Sequence, residues 1–372
     1  MSSPRSPGDY IREELEKRSW TQEDLAAVLG RSTSRVNQVL LGKQEVSAEL
    51  AVELETVLGT SAAVWLQREA EYKLSRATVA TDDVRRKAQL YALAPVREMV
   101  KRGWIVPSED LSELETTLCK FLGIQDPSQT PSFATAMRKT KPEDSLSYAQ
   151  LSWCCRAKMM AETLLVAKFS PDRLEQCQNE IRKLASYSQG ASKLPQLLAS
   201  FGIRFVIVEP LSTNKVDGAA FWIKEDSPVI AVSTRYDRID AFWFTVGHEF
   251  SHIKHRDAFS FDCDLAGPGQ LSTADKMGAE LRADNDASGM FVPHDEIAKF
   301  ILQVSPLYSK ERINQFANRI KIHPGIIVGQ LQHRGEIGYS ANRETLIKIR
   351  QIATSTALTD GWGHTIDPRV FL

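Results

Sequence analysis

The stretch Phe244-Thr245-Val246-Gly247-His248-Glu249-Phe250-Ser251-His252-Ile253 places two histidines four residues apart in a mostly apolar run. In a helix, residues four apart lie on the same face, so His248 and His252 can present two imidazoles to one metal ion. Glu249 follows the first histidine and can reach a water molecule at that ion. The stretch therefore predicts a helix that carries a metal site.

The spacing His-Glu-x-x-His is typical of zinc peptidases, in which the two histidines hold Zn2+ and the glutamate is the general base. Two solvated histidines on an ordinary surface helix would give the same sequence pattern. A third ligand decides between these interpretations, because a catalytic zinc ion keeps three protein ligands and leaves one position open.

His255 is a poor third ligand. It is seven residues from His248, which is roughly 10 Å along one helix axis, and a single ion cannot span that distance together with His252. We therefore expect His255 at the surface or behind the ligands.

The next predicted helix, from Ala279 to Ala287, carries two carboxylates on one face, Glu280 and Asp284. One of them can ligate the ion while the other accepts a hydrogen bond from a ligand imidazole and sets its tautomer. Ala283 and Ala287 on another face are small, so this helix can pack closely against the metal helix.

Three short apolar runs precede the metal helix and predict strands at residues 205–208, 218–223 and 229–233. A polar turn containing Asp226 and Pro228 separates the second run from the third. The runs predict a small antiparallel sheet, and an exposed edge of that sheet can hold a peptide in extended form by backbone hydrogen bonds.

The N-terminal 75 residues predict a unit of five short helices. Thr21 and Ser32 are N-caps of the second and third helices, and Gly30 ends the second, which is the helix-turn-helix pattern. Residues 1–75 carry 9 Lys and Arg against 12 Asp and Glu, a net charge of 9 − 12 = −3. Residues 31–43 nevertheless carry three positive charges and no acid, so the basic face is local.

The run from Leu25 to Gly30, with Val36, Val39-Leu40 and Gly42-Lys43, closely resembles the Cro/C1-type (XRE) domain, in particular its HigA-like antitoxin branch. The resemblance implies that Thr33 to Leu41 is the recognition helix and that the chain binds operator DNA as a homodimer on paired half-sites. By the same resemblance, the side chains that face bases are Thr33, Ser34, Asn37 and Gln38, and those beside phosphates are Arg31, Arg35 and Lys43. A domain used only for dimerisation or for docking a partner is the alternative.

The run from Tyr236 to Thr245, the histidine motif and the pattern Glu280-x-x-Ala283-Asp284-x-x-Ala287 resemble the ImmA/IrrE family of metallopeptidases. The run from His323 to His333 is similar to the C-terminal helix of that family. The resemblance implies an α+β zincin-like fold in which His248, His252 and Glu280 hold Zn2+, Glu249 is the catalytic base and Asp284 orients a ligand. Two positions depart from the family pattern, which often has an acid at the position of Arg282 and a large apolar residue at that of Asp286.

These features predict a multidomain chain with three regions. Residues 1–78 form an all-α helix-turn-helix domain, and residues 79–142 form a helical linker that includes a loose, proline-containing stretch from Gln125 to Pro142. Residues 143–372 form the metallopeptidase domain, with a helical lead-in at 143–190, the sheet and zinc helices at 194–293 and C-terminal helices at 294–372.

The composition excludes several classes of protein. A net charge of −1 over 372 residues excludes a generally basic nucleic-acid coat. The five cysteines have no metal-type spacing and two are adjacent, which favours reduced thiols over a disulfide framework. Neither a signal peptide nor a run of ~20 apolar residues is found. We expect a cytoplasmic protein without membrane contacts.

Together these features predict a DNA-binding transcriptional regulator with a zinc-dependent endopeptidase domain. The resemblance implies that it cleaves a partner repressor, an antitoxin or itself in stress, mobile-element or defence regulation. The alternative is an antitoxin or repressor of a toxin–antitoxin module whose zinc domain is a sensor or docking module without proteolysis. Glu249 favours the first, because a structural zinc site needs no general base. Candidates for an oxyanion donor are Tyr236, His333 and Tyr339.

Overall fold

The computed structural model describes residues 5–76, 82–129, 131, 146–263 and 278–362. The chain divides into two compact units, Met1–Arg85 and Arg86–Leu372. Most of the proline-containing stretch from Gln125 to Pro142 and the last ten residues lie outside the described residues. Within the described ranges, none of the helices combines the length and the apolar character needed to cross a lipid bilayer.

The first unit consists of five helices: α1 (Pro7–Lys17), α2 (Gln22–Val28), α3 (Thr33–Leu40), α4 (Ala48–Leu58) and α5 (Ala62–Arg76). Hydroxyl side chains cap the first four helices, because each accepts a hydrogen bond from an otherwise unpaired backbone N–H of the first turn. These N-caps are Ser6, Thr21, Ser32 and Ser47. The caps predicted at Thr21 and Ser32 are confirmed.

One core holds the five helices together. Its fully buried members include Ile11, Leu25, Leu54 and Trp65, one from each of four helices. Helix α1 approaches the end of α3 so closely that a β-carbon at Gly8 would lie 2.2 Å from the carbonyl oxygen of Leu40. Only glycine fits there, and the contact fixes where α3 ends relative to α1.

The second unit is built around a five-stranded sheet with the strand order β4-β2-β3-β1-β5. The strands are β1 (Arg204–Ile207), β2 (Val216–Trp222), β3 (Pro228–Val232), β4 (Phe259–Cys263) and β5 (Leu358–Thr359). Strand β2 is antiparallel to β3 and β4, whereas β1 is parallel to β3 and β5.

The expectation of an antiparallel sheet is therefore wrong for part of it, and the sheet is mixed. The β2–β3 pair is antiparallel because a short polar turn joins these strands. Strand β1 does not pair with β2, its neighbour in sequence; it lies on the other side of β3 and runs in the same direction, with Phe205 opposite Ile230.

Helices cover both faces of the sheet, so the strands are apolar on both sides. Val206, Ala219 and Phe261 point into one core, and Phe205, Ala220 and Ile230 into the other. On the first face lie α6 (Asp82–Leu93), α7 (Val96–Lys101), α8 (Leu111–Leu122) and α9 (Tyr148–Glu162).

This arrangement differs from the predicted linker over residues 79–142. Leu90, Met99 and Leu118 from this region are buried together with Val206 and Ala219 of the sheet. The segment was expected to be a linker because Pro107 and the proline-containing stretch from Gln125 to Pro142 flank its last predicted helix. Its apolar residues instead form one of the two layers that cover the sheet.

The other face carries the remaining helices. They are α10 (Leu174–Leu184), α11 (Gly190–Ser200), α12 (Ile239–Lys254), α13 (Gly278–Phe291), α14 (His294–Val304), α15 (Lys310–Ile320), α16 (Pro324–His333) and α17 (Arg350–Thr354). Helix α12, which contains the histidine motif, is apolar around most of its circumference and is buried over most of its length.

Candidate metal centre

Helix α12 directs both motif histidines to one point. His248 and His252 are completely buried, and their Nε2 atoms lie 3.1 Å apart. The four-residue spacing accounts for this, because consecutive turns stack the two rings on one face of the helix.

Helix α13 brings Glu280 to the same point. Its Oε2 atom lies 3.3 Å from Nε2 of His248 and 3.7 Å from Nε2 of His252. Among the described residues, these three form the group whose ligand atoms all lie within 4.8 Å of one another. Helices that are separate in the sequence thus supply the two histidines and the carboxylate.

Small residues allow α13 to approach α12 this closely. Ala283 and Ala287 are fully buried, and a β-carbon at Gly247 would lie 3.2 Å from Cα of Ala287 and 2.9 Å from the ring of Phe291. The two alanines expected to permit close packing do lie within the structure's buried core.

The three ligand atoms fit the separation that zinc requires. Two N or O ligands at about 2.0–2.2 Å from one tetrahedral zinc ion are separated by roughly 3.3–3.6 Å. The observed separations of 3.1, 3.3 and 3.7 Å bracket that range. Two imidazoles and one carboxylate are also a donor set that zinc accepts in catalytic sites.

Each histidine is held from behind by a carboxylate. Nδ1 of His248 lies 3.0 Å from Oδ1 of Asp284, and Nδ1 of His252 lies 2.8 Å from Oδ2 of Asp257. A carboxylate accepts, so each Nδ1 carries the proton and each Nε2 presents its lone pair to the centre. Asp284 therefore lies where the orienting residue was expected.

Asp257 was missed by the sequence analysis. It follows the end of α12, after Arg256 has taken a left-handed backbone conformation with φ of 56°. That turn brings the Asp257 side chain back to His252, and its backbone carbonyl accepts from Nε1 of Trp222. An aspartate five residues after the second histidine was the available signal.

Arg282 and Asp286, the two residues that depart from the pattern of the resembled metallopeptidase family, both have hydrogen-bonding partners. Arg282 donates from Nη2 to Oδ2 of Asp257 at 2.6 Å, so it supports the carboxylate that holds His252. Asp286 accepts from Oγ of Ser251 at 2.7 Å and lies 2.9 Å from Nε2 of His255. Burial alone would raise the pKa of Asp286, but these hydrogen bonds outweigh it and the pKa is lowered. His255 thus contacts Asp286 and lies outside the group of three ligands.

Glu249 is completely buried beside the sheet. A β-carbon at Gly218 of β2 would lie 2.3 Å from Oε1 of Glu249 and 2.9 Å from a methyl group of Thr245. The missing side chain at Gly218 therefore leaves the space that the Glu249 carboxylate occupies. The motif's glutamate is thus held by a strand as well as by its own helix.

The residues considered as oxyanion donors lie in different surroundings. His333 and Tyr339 line a cavity next to Asp284, and the Arg235 guanidinium lies 4.4 Å from the centre of the Tyr236 ring.

In the first unit, most side chains predicted to contact DNA are accessible. The exposed ones are Thr33, Ser34, Arg35, Asn37, Gln38 and Lys43. Arg31 differs, because its side chain is only 19% exposed and its Nε donates to Glu53 at 2.9 Å. Arg31, the predicted phosphate contact that precedes helix α3, is thus engaged in an ion pair within the domain.

Comparison with known proteins identifies the first unit. Residues 11–65 match the helix-turn-helix family model HTH_3. The chain is also 30% identical over 82 residues to YddM, an uncharacterised HTH-type transcriptional regulator of Escherichia coli strain K12. That match covers 22% of this chain and 87% of the relative. Through its N-terminal domain, the chain belongs to the helix-turn-helix family of transcriptional regulators.

Proposed function

We propose that this regulator is also a zinc-dependent endopeptidase, with its helix-turn-helix unit binding operator DNA and its second unit hydrolysing a protein substrate. The observation that carries the proposal is the convergence of His248, His252 and Glu280, with the buried Glu249 following His248 directly in the sequence of helix α12. Structural zinc sites are usually closed by four protein ligands, whereas three ligands and a nearby general base are typical of hydrolytic sites.

The electrostatic surroundings of the histidines support the same function. Asp284 and Asp257 accept from the two Nδ1 atoms, which keeps each Nε2 available and each ring fixed. Arg282 neutralises Asp257 and holds it in place. A site built only to expose histidines to solvent would need none of these contacts.

The chemistry follows from the residues present. A zinc ion held by His248, His252 and Glu280 would supply Lewis acidity and lower the pKa of water towards 7. Glu249 accepts a proton from the attacking water and later returns it to the leaving amine. The edge strand β4 provides backbone groups along which an extended peptide can lie.

The first experiment measures zinc and cleavage separately. Protein purified without chelators is expected to contain about one zinc ion per chain by elemental analysis. Glu249→Gln is expected to keep the zinc ion and the fold but to lower peptide hydrolysis by at least about a thousandfold, because the base is lost. Absence of zinc even after its addition would overturn the proposal.

The substrate that we propose is a repressor, an antitoxin or the chain itself. The reason is that the helix-turn-helix unit brings the peptidase to the DNA where such proteins bind. Incubation of zinc-loaded protein with a neighbouring regulator, followed by mass spectrometry of the fragments, tests this. Glu249→Gln serves as the control in the same reaction.

A second candidate function is an antitoxin or repressor whose zinc unit is a sensor or docking module. The deep burial of the two histidine ligands favours it, because a substrate must reach the ion. Wild-type protein and Glu249→Gln would then regulate transcription equally in cells. A difference between them favours proteolysis.

A further inference from the structure

A cavity of about 400 Å3 lies between helices α12, α13 and α16 of the second unit, and we call it the side cavity. Its apolar lining comes from Ala241, Phe244, Leu281, Phe291 and Ile326. The amide of Gln330 closes one side by donating to the carbonyl oxygen of Ser288 at 2.8 Å. The volume lies within the range of small-molecule sites, which are mostly apolar with a few polar groups.

The side cavity is separate from the candidate metal centre. Neither the three ligands nor Glu249 line it. It does reach Asp284, which contacts Nδ1 of His248, whereas the metal side of that ring is Nε2. A molecule in the side cavity would therefore lie behind His248, where a scissile peptide bond could not reach the ion.

The charged side chains that line the side cavity differ in whether they have a partner of opposite charge. Arg238 donates to Asp240 at 2.6 and 3.1 Å, so these opposite charges neutralise each other. Asp284 also carries a negative charge, but its side chain is only 16% exposed and its Oδ1 atom is directed to His248, away from the rim. Arg334 lies on the exposed rim, and in the described part of the chain its side chain has neither an ion pair nor a hydrogen bond. The rim therefore presents a cation to an incoming ligand.

We propose that the side cavity binds a small organic anion with an apolar, ring-sized body, whose acidic group pairs with Arg334. Asn285 and Tyr339 on the same rim offer further hydrogen bonds. This site requires no proteolysis, so it goes beyond the proposed function.

Occupancy of the side cavity is coupled to the metal centre through two residues. Asp284 lines the cavity and holds His248, and Phe244 lines it with its ring centre 6.2 Å from that of His248. A metal ion held at Nε2 of His248 would act on this wall of the cavity through the contact of Nδ1 with Asp284. Coupling is reciprocal, so a ligand that fits the ordered wall also strengthens metal binding.

The test uses two fluorescent probes with related ring systems. The sulfonate 8-anilinonaphthalene-1-sulfonate carries an anion, and N-phenyl-1-naphthylamine lacks it. We expect one site per full-length chain for the sulfonate. Arg334→Gln should weaken the sulfonate about tenfold and leave the neutral probe unchanged, because only the charged contact is lost.

A blocking variant and a charge control complete the design. Asn285→Trp replaces an exposed rim residue and should weaken both probes. Arg312→Gln removes an exposed arginine of α15 outside the cavity lining and should change neither. Sulfonate binding that is the same in wild type, Arg334→Gln and Asn285→Trp would overturn the assignment, because the probe would then bind elsewhere.

The coupling between the side cavity and the metal centre is measured separately, by the affinity for the sulfonate in two metal states. Sulfonate binding is expected to be at least about fivefold tighter in zinc-loaded than in chelator-treated protein. Equal affinities in the two metal states, with Arg334→Gln still weakening the sulfonate, would retain the binding site and overturn the coupling. Neither measurement depends on peptide hydrolysis, so failure of the proposed function would be seen separately.

Discussion

At the scale of single residues, the two motif histidines are held unequally. His248 contacts Asp284 of α13, whereas His252 contacts Asp257, a residue of the loop after α12. A loop carboxylate is less rigidly placed than a helical one, and Arg282 compensates by pairing with it. Arg282 lies at a position that is often acidic in the resembled family, and its pairing with Asp257 explains the arginine there.

This pairing predicts that Arg282→Met lowers zinc affinity about tenfold, because Asp257 loses its support and holds His252 less well. Arg282→Lys should recover part of the affinity by restoring the charge. Competition with a chromophoric chelator measures the affinity, with Arg312→Met as the control. Unchanged affinity in Arg282→Met would show that the ion pair does not position His252.

At the scale of elements, helix α3 combines groups that contribute to DNA binding in different ways. Asn37 and Gln38 are exposed polar side chains of the helix, and Lys43 follows in the turn after it. Amide side chains can read base edges, whereas a lysine beside a phosphate adds affinity without sequence preference.

We therefore predict different effects for two substitutions. Gln38→Ala should reduce the preference for operator over random DNA by about 1–3 kcal/mol, since a base contact is lost. Lys43→Ala should weaken both DNAs alike and reduce the salt dependence by about one counterion. Gel-shift titrations at two salt concentrations test this, with Lys17→Ala of α1 as the control. Loss of operator preference in Lys43→Ala would contradict the assignment.

The helices of residues 86–122 have a role that a linker would not have. Leu118 of α8 is fully buried in the core that covers one face of the sheet. Leu118→Ala is expected to destabilise the second unit by about 2–5 kcal/mol, because it leaves a cavity. Calorimetry should show a lower melting transition for that unit. Leu165→Ala is the matched control because Leu165 is 97% exposed. An unchanged melting transition in Leu118→Ala would support a linker after all.

At the scale of the whole molecule, the stability of the second unit depends on a buried acid near the C-terminal end of the described chain. Burial raises the pKa of Asp360 to about 6, against an ordinary value of 3.8. Its Oδ2 atom lies 3.8 Å from the nearest nitrogen of Arg102, too far for a full hydrogen bond. The folded protein therefore binds this proton more tightly than the unfolded chain.

The sign of the pH dependence follows from that difference. Asp360 stabilises the fold fully below pH ~4, and this contribution is lost as the pH rises through about 6. The change amounts to roughly 3 kcal/mol for a shift of this size. Asp360→Asn should remove this pH-dependent contribution. The free energy of unfolding of the variant, relative to that of the wild type, should therefore rise between pH 4.5 and 7.5. Urea denaturation at both pH values measures this, and a constant difference between the two proteins would refute it.

The sequence by itself determined the local features of this protein. Hydroxyl caps and glycines define helices α2 to α4, because capping and left-handed turns depend on residues within one turn of the chain. The alignment of His248 with His252 is equally local, since it follows from helical periodicity alone. These features did not require knowledge of any distant contact.

Only the tertiary structure decided the features that depend on residues far apart in the chain. The parallel pairing of β1 with β3, the packing of residues 86–122 on the sheet and the contact of Asp257 with His252 are of this kind. Strand direction and helix placement depend on which apolar surfaces are buried together, and sequence spacing carries no such information across long separations. The metal-binding helix could therefore be predicted from a stretch of ten residues. Asp257 and Arg282, which hold His252 in place, became evident only from the tertiary structure.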